Sequence, residues 1–370
     1  FADNTDSNNT KRDTVQGILD LATGAPSFRN IIINGDMRIS QRYGTANTAI
    51  SGIFFSVDRW KIYYASGSGH TVQQVADVPV DSGLIYSLKT TIGTGAVPSA
   101  AHQNCLYTPI EGNNWAQYSF GTANPATISW SFWVKSSLTG TFGVAIKSSN
   151  VDLHYVASYT ISSADTWEKK TVEGIAGPTS GTWNGGTGVG AYVSFDLGGG
   201  TDYQKAAGAW NAGNADGVTG GTNLVETNGA TWQITGVQIE KSASATDFEF
   251  VPYDYQLRRC QRYFRRIGEG VAYTSIASGF SVSTAEAFCP YTFPVEMRAA
   301  PTLAVSAATD FRLVHAGGAV ITCSALVINV ASPQSCRLRP AVASGLTANM
   351  PCTLSGINSV TNALDFIAEL

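Results

Sequence analysis

The sequence is poor in charge. Lys, Arg, Asp and Glu make up 14% of its 370 residues, with a net charge of −4, where about a quarter is usual. No Lys/Arg-rich stripe occurs, so the footprint of a nucleic-acid binder and that of a polybasic membrane anchor are both missing. No run of 18 apolar residues reads as a membrane-spanning helix. The opening Phe1-Ala2-Asp3-Asn4 lacks the charged start and apolar stretch of a signal peptide, and the absence of an initiator Met is read as a fragment of something longer. Histidine is scarce and scattered, at His70, His102, His154 and His315. With no C-x-x-C, H-E-x-x-H or G-x-S-x-G in the chain, no catalytic set, metal site or cofactor is expected.

Glycine and aromatics are abundant: 38 Gly and 11% Phe, Trp and Tyr, within 44% hydrophobic residues. That is the profile of strands joined by tight turns, in a chain long enough to bury a sizeable core. Six cysteines, Cys105, Cys260, Cys289, Cys323, Cys336 and Cys352, are read as reduced core thiols. Four of them fall in the last 82 residues, so a C-terminal disulfide pair is the alternative for a protein that ends up outside a cell.

The expected organisation is all-β: a jelly-roll-like β-sandwich followed by a smaller C-terminal β-domain, with a short N-terminal helix. Residues 1–27 form a linker and helix, with Val15, Ile18, Leu19 and Ala22 at helical spacing after Thr10-Lys11-Arg12-Asp13. Residues 28–254 form the sandwich, with strands at Phe54 to Tyr64, Thr127 to Val134, Thr141 to Lys147, Trp167 to Val172, Gly190 to Phe195 and Ala230 to Glu240. Alternation in Ile128-Ser129-Trp130-Ser131-Phe132-Trp133-Val134 puts Trp130 on the core face and Trp133 opposite. Residues 255–266 read as a short helical connector with Leu257, Cys260 and Phe264 on one side, and 267–370 as the second β-domain. Gly185-Gly186-Thr187-Gly188-Val189-Gly190 leads into a strand instead of opening a helix, which argues against a nucleotide loop.

One resemblance stands out. Asn30-Ile31-Ile32-Ile33-Asn34-Gly35-Asp36-Met37-Arg38-Ile39-Ser40-Gln41-Arg42 and Val57-Asp58-Arg59-Trp60 are followed by Ile110-Glu111-Gly112, Ser131-Phe132-Trp133-Val134-Lys135-Ser136, and Thr231 to Lys241. Phe248-Glu249-Phe250-Val251-Pro252-Tyr253 and Cys260-Gln261-Arg262-Tyr263 complete the set. In order and spacing this resembles a domain common in bacteriophage tail-fibre and virion appendage proteins, whose sandwich is similar to that of carbohydrate-binding modules. Phe293 to Pro301 resembles a segment that often follows it. The resemblance implies a structural, non-enzymatic fibre component assembled in the host cytoplasm, a homotrimer with other virion tail proteins as partners, and host adsorption through a surface glycan. A polysaccharide-degrading tailspike and a purely architectural fibre or head-decoration protein remain as alternatives. Nucleic-acid binding and membrane insertion are not expected.

No ligand residues come with the resemblance, so candidates are read from the chain itself. Trp183, Tyr203 and Trp210 sit among Gly, Asn, Thr and Ala, with Asn184, Asn211, Asn214 and Asp216 nearby. Rings in such a segment either pack on the sandwich or a neighbouring subunit, or form a platform for the apolar face of a sugar, with the amides meeting its hydroxyls. Asp58 with Arg59 beside Trp60, and Arg38 and Arg42 beside Asp36, are read as structural ion pairs. Asp196 and Asp202 are read as flanking a plain turn in preference to a Ca²⁺ site.

Overall fold

The computed structural model describes residues 28–50, 52–315 and 318–370, and the chain is nearly all β-structure. The helix expected around Val15, Ile18 and Leu19 lies outside the described residues. Two sheets form the sandwich. The first has six strands, in the order β1 (Thr48–Ala49), β4 (Thr71–Val75), β5 (Ser87–Thr91), β15 (Thr231–Glu240), β7 (Thr127–Ser136) and β10 (Glu168–Ala176). The second has seven, in the order β13 (Trp210–Ala212), β9 (Leu153–Ile161), β8 (Gly140–Ser148), β11 (Val189–Asp196), β6 (Asn104–Glu111), β3 (Lys61–Tyr64) and β2 (Ile53–Phe55). All pairings within both sheets are antiparallel.

Alternation explains why these sheets face each other. Ile128, Trp130, Phe132 and Val134 of β7 meet Phe142, Val144 and Ile146 of β8 and Ala191, Val193 and Phe195 of β11 in one core, as in two packed sheets with interdigitating inner faces. Phe195 is at its centre, with ring centroids 5.3 Å from Trp130, 5.1 Å from Phe132 and 5.7 Å from Trp232. Removing each such side chain from water contributes about 1.5–3 kcal/mol. Trp133 is on the other face and half-buried, as its place in the alternation requires.

The strand expected over Phe54 to Tyr64 is instead a hairpin, β2 and β3. Its turn is closed by hydrogen bonds from Trp60 N to Val57 O (3.1 Å) and from Ser56 N to Trp60 O (3.0 Å). Arg59 takes φ +73° there, a left-handed conformation incompatible with a continuous strand. Among the described residues Asp58 and Arg59 do not pair with each other, contrary to the sequence reading. Asp58 accepts the N–H of Gln41 (2.9 Å), while Arg59 pairs with Glu369 and donates to Pro109 O at 2.7 Å. Arg38 pairs with Asp36 as expected (2.9 Å), but Arg42 pairs with Glu369 (3.1 Å).

The connecting helix is shorter than its sequence pattern. It spans Tyr253–Gln261 (α2, after the single turn α1, Gly112–Trp115), and Phe264–Ile267 turns into strand β16. That segment pairs with β25 (Leu364–Ile367), which also pairs with β19 (Thr302–Val305), so the ladder takes over the backbone groups that a longer helix would have used. The remaining C-terminal strands form a seven-stranded sheet ordered β21 (Val320–Thr322), β20 (Phe311–His315), β24 (Pro351–Gly356), β17 (Ser275–Ser281), β18 (Ala287–Thr292), β23 (Ser335–Ala341) and β22 (Ala325–Ala331). Its core is separate from that of the sandwich and contains Phe293, Phe311, Leu338, Leu354 and Phe366. All six cysteines are buried and unbonded. Between the cores, Tyr263 and Cys260 pack with Ile33 and Ile39, and Glu111 receives Arg262 (2.7 Å) and the Tyr263 hydroxyl (2.6 Å). Among the described residues no helix is long and apolar enough to cross a membrane.

Candidate functional site

The segment 180–228 enters the seven-stranded sandwich sheet as β11 and then returns along that sheet's outer face and edge, and it divides the predicted site residues between two places. Short strands hold it: β13 continues the sheet beside β9, while β12 (Gln204–Lys205) pairs in parallel with β14 (Gly217–Val218).

Trp183 and Trp210 are together, with ring centroids 5.9 Å apart and planes nearly perpendicular. They do not form an open platform. Trp183 stacks on Trp115 (5.8 Å) and meets Phe120 edge-on (5.0 Å), and Trp210 packs on Tyr155 (5.4 Å) and Phe120 (5.7 Å). Both indole N–H groups are used, donating to Ser180 O (2.9 Å) and Ala176 O (2.8 Å). Glycine makes this packing achievable: a Cβ on Gly190 would fall 2.7 Å from the Cα of Gly112 and 2.7 Å from the Cβ of Trp115. The Gly-rich run that leads into β11, ending at Gly190 within it, thus admits helix α1 and the Trp115 side chain. Asn184 lies exposed nearby, its Oδ1 accepting the N–H of Gly186 (2.7 Å).

Tyr203 is elsewhere, its carbonyl accepting the N–H of Asp216 (3.0 Å), and among the described residues its ring stacks on neither indole. Asn211 is half-buried at the sheet edge, donating to Ala209 O (3.1 Å). Asp202 is exposed in a single turn, and among the described residues no group of three or more His, Cys, Asp or Glu is placed to hold a metal ion.

Asn214 and Asp216 belong to a second place that the sequence reading did not find. The side chains of β6, β11 and β8 that alternate away from the core cover the sheet's outer face, where Tyr192 is paired across the ladder with Lys147 and Lys147 with His154, which in turn faces Asn211. Tyr63, Tyr107 and Tyr192, each half-buried, line a cleft of about 200 Å³ with Ile53, Gln103, Lys147, Val151 and Asn214. Tyr107 and Tyr192 are 6.4 Å apart.

The base of the cleft is polar and fixed. Lys147 is 2.6 Å from Asp216 Oδ1, and Gln103 Nε2 donates to Asp216 Oδ2 at 2.6 Å. Burial alone would raise the Asp216 carboxyl, but the Lys147 ammonium outweighs it and holds the group below the usual carboxylate range. Asp196, beneath the same loop, behaves in the opposite way. Burial pushes it up to about 7, against hydrogen bonds from the N–H of Gly199 (2.8 Å) and Gly198, with the Asp216 charge adding to the rise. Gly217 makes this closeness workable, because a Cβ there would lie 2.4 Å from Asp196 Oδ2. His154 is fully buried, its Nδ1 2.8 Å from Gly213 O, and burial lowers its pKa, so the neutral ring is assigned Nδ1–H as donor. Asn214 Oδ1 is a buried acceptor without a hydrogen-bond partner among the described residues.

The signal for this cleft is present in the sequence only as alternation. Once β6 and β11 are in antiparallel register, Tyr107 faces Ser194 and both Tyr107 and Tyr192 must point away from the core. Finding it takes the pairing of strands that are distant in sequence.

No protein-family model matches the chain, and no curated protein matches it. Several solved structures are similar to part of it. They include the enzymatically active domain of bacteriophage CBA120 tailspike protein 4 (14% identity, 57% of this chain, 21% of that chain, TM-score 0.32). A carbohydrate-binding module, TmCBM61, in complex with β-1,4-galactotriose shows 11% identity over 58% of this chain and 99% of its own, with a TM-score of 0.29. The family 11 carbohydrate-binding module of a Clostridium thermocellum cellulosomal cellulase shows 13% identity over 55% and 98%, with a TM-score of 0.26. The chain spans about a fifth of the tailspike structure. At these identities and TM-scores, what the chain does rests on its own residues.

Proposed function

We propose that the chain is a non-catalytic glycan-binding component of a phage tail fibre or related virion appendage, acting in host adsorption as a homotrimer, and that its sandwich holds neutral sugar in the tyrosine cleft. The observation that carries the binding reading is the cleft itself: three half-buried tyrosines around a base whose one lysine is already neutralised by Asp216. Phenol rings cover the C–H face of a pyranose. The unpartnered Asn214 Oδ1 calls for a donor such as a sugar hydroxyl. A carboxylate or phosphate would find no free cation at the base, because Lys147 is already paired with Asp216.

The enzymatic alternative has one observation in its favour, the buried carboxyls Asp196 and Asp216, whose pKa values are driven apart as in acid–base pairs. Against it, both are almost wholly buried, neither lines the cleft, and Asp216 is held by Lys147 and Gln103.

The test is calorimetry of the full chain against neutral oligosaccharides, with an assay for released reducing ends and light scattering for the oligomer. Tyr107→Ala and Tyr192→Ala are expected to weaken binding at least tenfold with little change in melting temperature, no sugar is released, and three copies are present. Release that stops with Asp196→Asn would establish the enzymatic reading instead.

A further inference from the structure

The C-terminal domain carries a second surface with the opposite chemistry. The seven-stranded sheet that begins with β21 buries one face on its own core, through Cys289, Leu338, Leu313 and Leu354. The alternate positions point to the other side. There Arg339 is paired with Val327, and Arg337 with Pro290 and with Val330, while Phe280 faces Phe288 from β17. Phe280 (47%), Val327 (41%) and Val330 (57%) are exposed. Arginines provide the charge on this stretch. Among the described residues the strands that carry them, β18, β23 and β22, contain no Asp or Glu, and Glu286, just before β18, bridges Ala341 at the far end of the strand.

Arg337 is held in place. Its guanidinium is 4.3 Å from the Phe288 ring centroid, and its Nε donates to Asn329 Oδ1 at 2.9 Å, with Nη2 on the same oxygen. Nη1 is left without a partner among the described residues. Beside it opens a depression of about 510 Å³ lined by Pro290, Thr292, Val330, Ser332, Ser335 and Arg337, with Tyr291 and Cys336 completing the wall. No lining residue is acidic. A planar, stacked guanidinium beside hydroxyls and a small apolar floor matches a ligand that is anionic at one point and both hydroxylated and C–H-faced elsewhere.

We infer that this depression binds an anionic sugar unit, with Arg337 taking its carboxylate or phosphate, the hydroxyls of Thr292 and Ser335 meeting the ring hydroxyls, and Pro290 and Val330 under its C–H face. The site is independent of the tyrosine cleft and differs from it in selectivity, since there the lysine is already neutralised and here the arginine is not. A fibre with both would engage neutral and acidic units of one surface polymer, and weak sites acting together gain effective concentration.

The experiment titrates the full chain with trigalacturonate, glucose 6-phosphate, inorganic phosphate and neutral galactotriose in low salt, for the wild type, Arg337→Gln and Arg337→Lys. The expected result is binding of trigalacturonate or glucose 6-phosphate, showing whether the anion is a carboxylate or a phosphate. It should be weakened at least tenfold by Arg337→Gln and less by Arg337→Lys, and also by raised salt, with the melting temperature unchanged and any galactotriose binding unaffected. Inorganic phosphate binding as tightly as the sugar phosphate would overturn the sugar assignment. Absence of both anionic sugars, or the same affinity in Arg337→Gln, would overturn the site. If the oligomer alone dissociates in Arg337→Gln, the face is a protein contact and the inference fails. Loss of galactotriose binding in Tyr107→Ala would leave it untouched, so the two sites stand or fall separately.

Discussion

The ammonium of Lys147 lies 2.6 Å from Oδ1 of Asp216, both side chains are almost fully buried, and Gln103 completes the carboxylate's bonds from the other side. The pair ties strand β8 to the loop that forms one wall of the cleft. Replacing one partner strands a buried charge, which costs about 3–5 kcal/mol, whereas replacing both by apolar groups is often neutral. Lys147→Met should therefore lower stability by that amount in urea unfolding, and Lys147→Met combined with Asp216→Leu should recover most of it. Recovery absent from the double variant would mean that the pair contributes through its geometry and not through charge balance.

The Trp183–Trp210 cluster should behave as structure. Both rings pack on Phe120 and both N–H groups are satisfied within the chain. Trp210→Ala is expected to approach the about 3–5 kcal/mol cost of a buried aromatic truncation, with sugar binding falling only in proportion to unfolding. An unchanged melting temperature with abolished binding would return these rings to the role of a ligand platform.

How much of this was legible beforehand depends on the range of the contacts. The placement of Trp130 inward and Trp133 outward follows from a period of two within one strand. Trp183 and Trp210 drew attention because a ring amid Gly and Asn has no local partner, yet Trp115, Phe120 and Tyr155, which cover them, come from distant segments. The tyrosine cleft was illegible for a similar reason: Tyr63, Tyr107 and Tyr192 stand on three strands, and only the sheet order β11-β6-β3 makes them neighbours. The hairpin turn at Arg59 was hidden because its positive φ falls on a residue that rarely adopts one.

Stability should pass through a maximum in mildly acidic solution. Asp196 and Asp58 are raised by burial from 3.8 to about 7 and about 6. A carboxyl raised on folding stabilises fully below its unfolded pKa, and that contribution is lost as pH rises through the folded value, at about 1.4 kcal/mol per pH unit for each group. Asp216 is lowered, so its contribution is lost in the other direction, as pH falls below the ordinary range. Urea midpoints between pH 3 and 9 should rise to a maximum near 4–5 and decline toward 8. Asp196→Asn should flatten the upper limb; a curve still falling with the same slope in that variant would remove Asp196 from the account.

Glu369 should couple the two domains. Its carboxylate takes Arg42 at 3.1 Å and Arg59 on the other oxygen. Those arginines also lie over Phe264 (3.5 Å) and Tyr263 (3.6 Å), so the end of the second domain is clamped to the first strands of the sandwich. Glu369→Gln would leave two buried guanidinium groups without their counter-charge, a change that costs about 3–5 kcal/mol. The sequence supplies separate reporters: all 8 Trp residues precede Tyr253, whereas Cys289, Cys323, Cys336 and Cys352 follow it. Indole fluorescence therefore follows the sandwich, and thiol labelling in urea follows mainly the C-terminal domain. In the wild type the two transitions should coincide. In Glu369→Gln both should move to lower urea and separate. If they remain coincident, the buried contacts of Tyr263 and Cys260 with Ile33 and Ile39, and not the ion pair, carry the coupling.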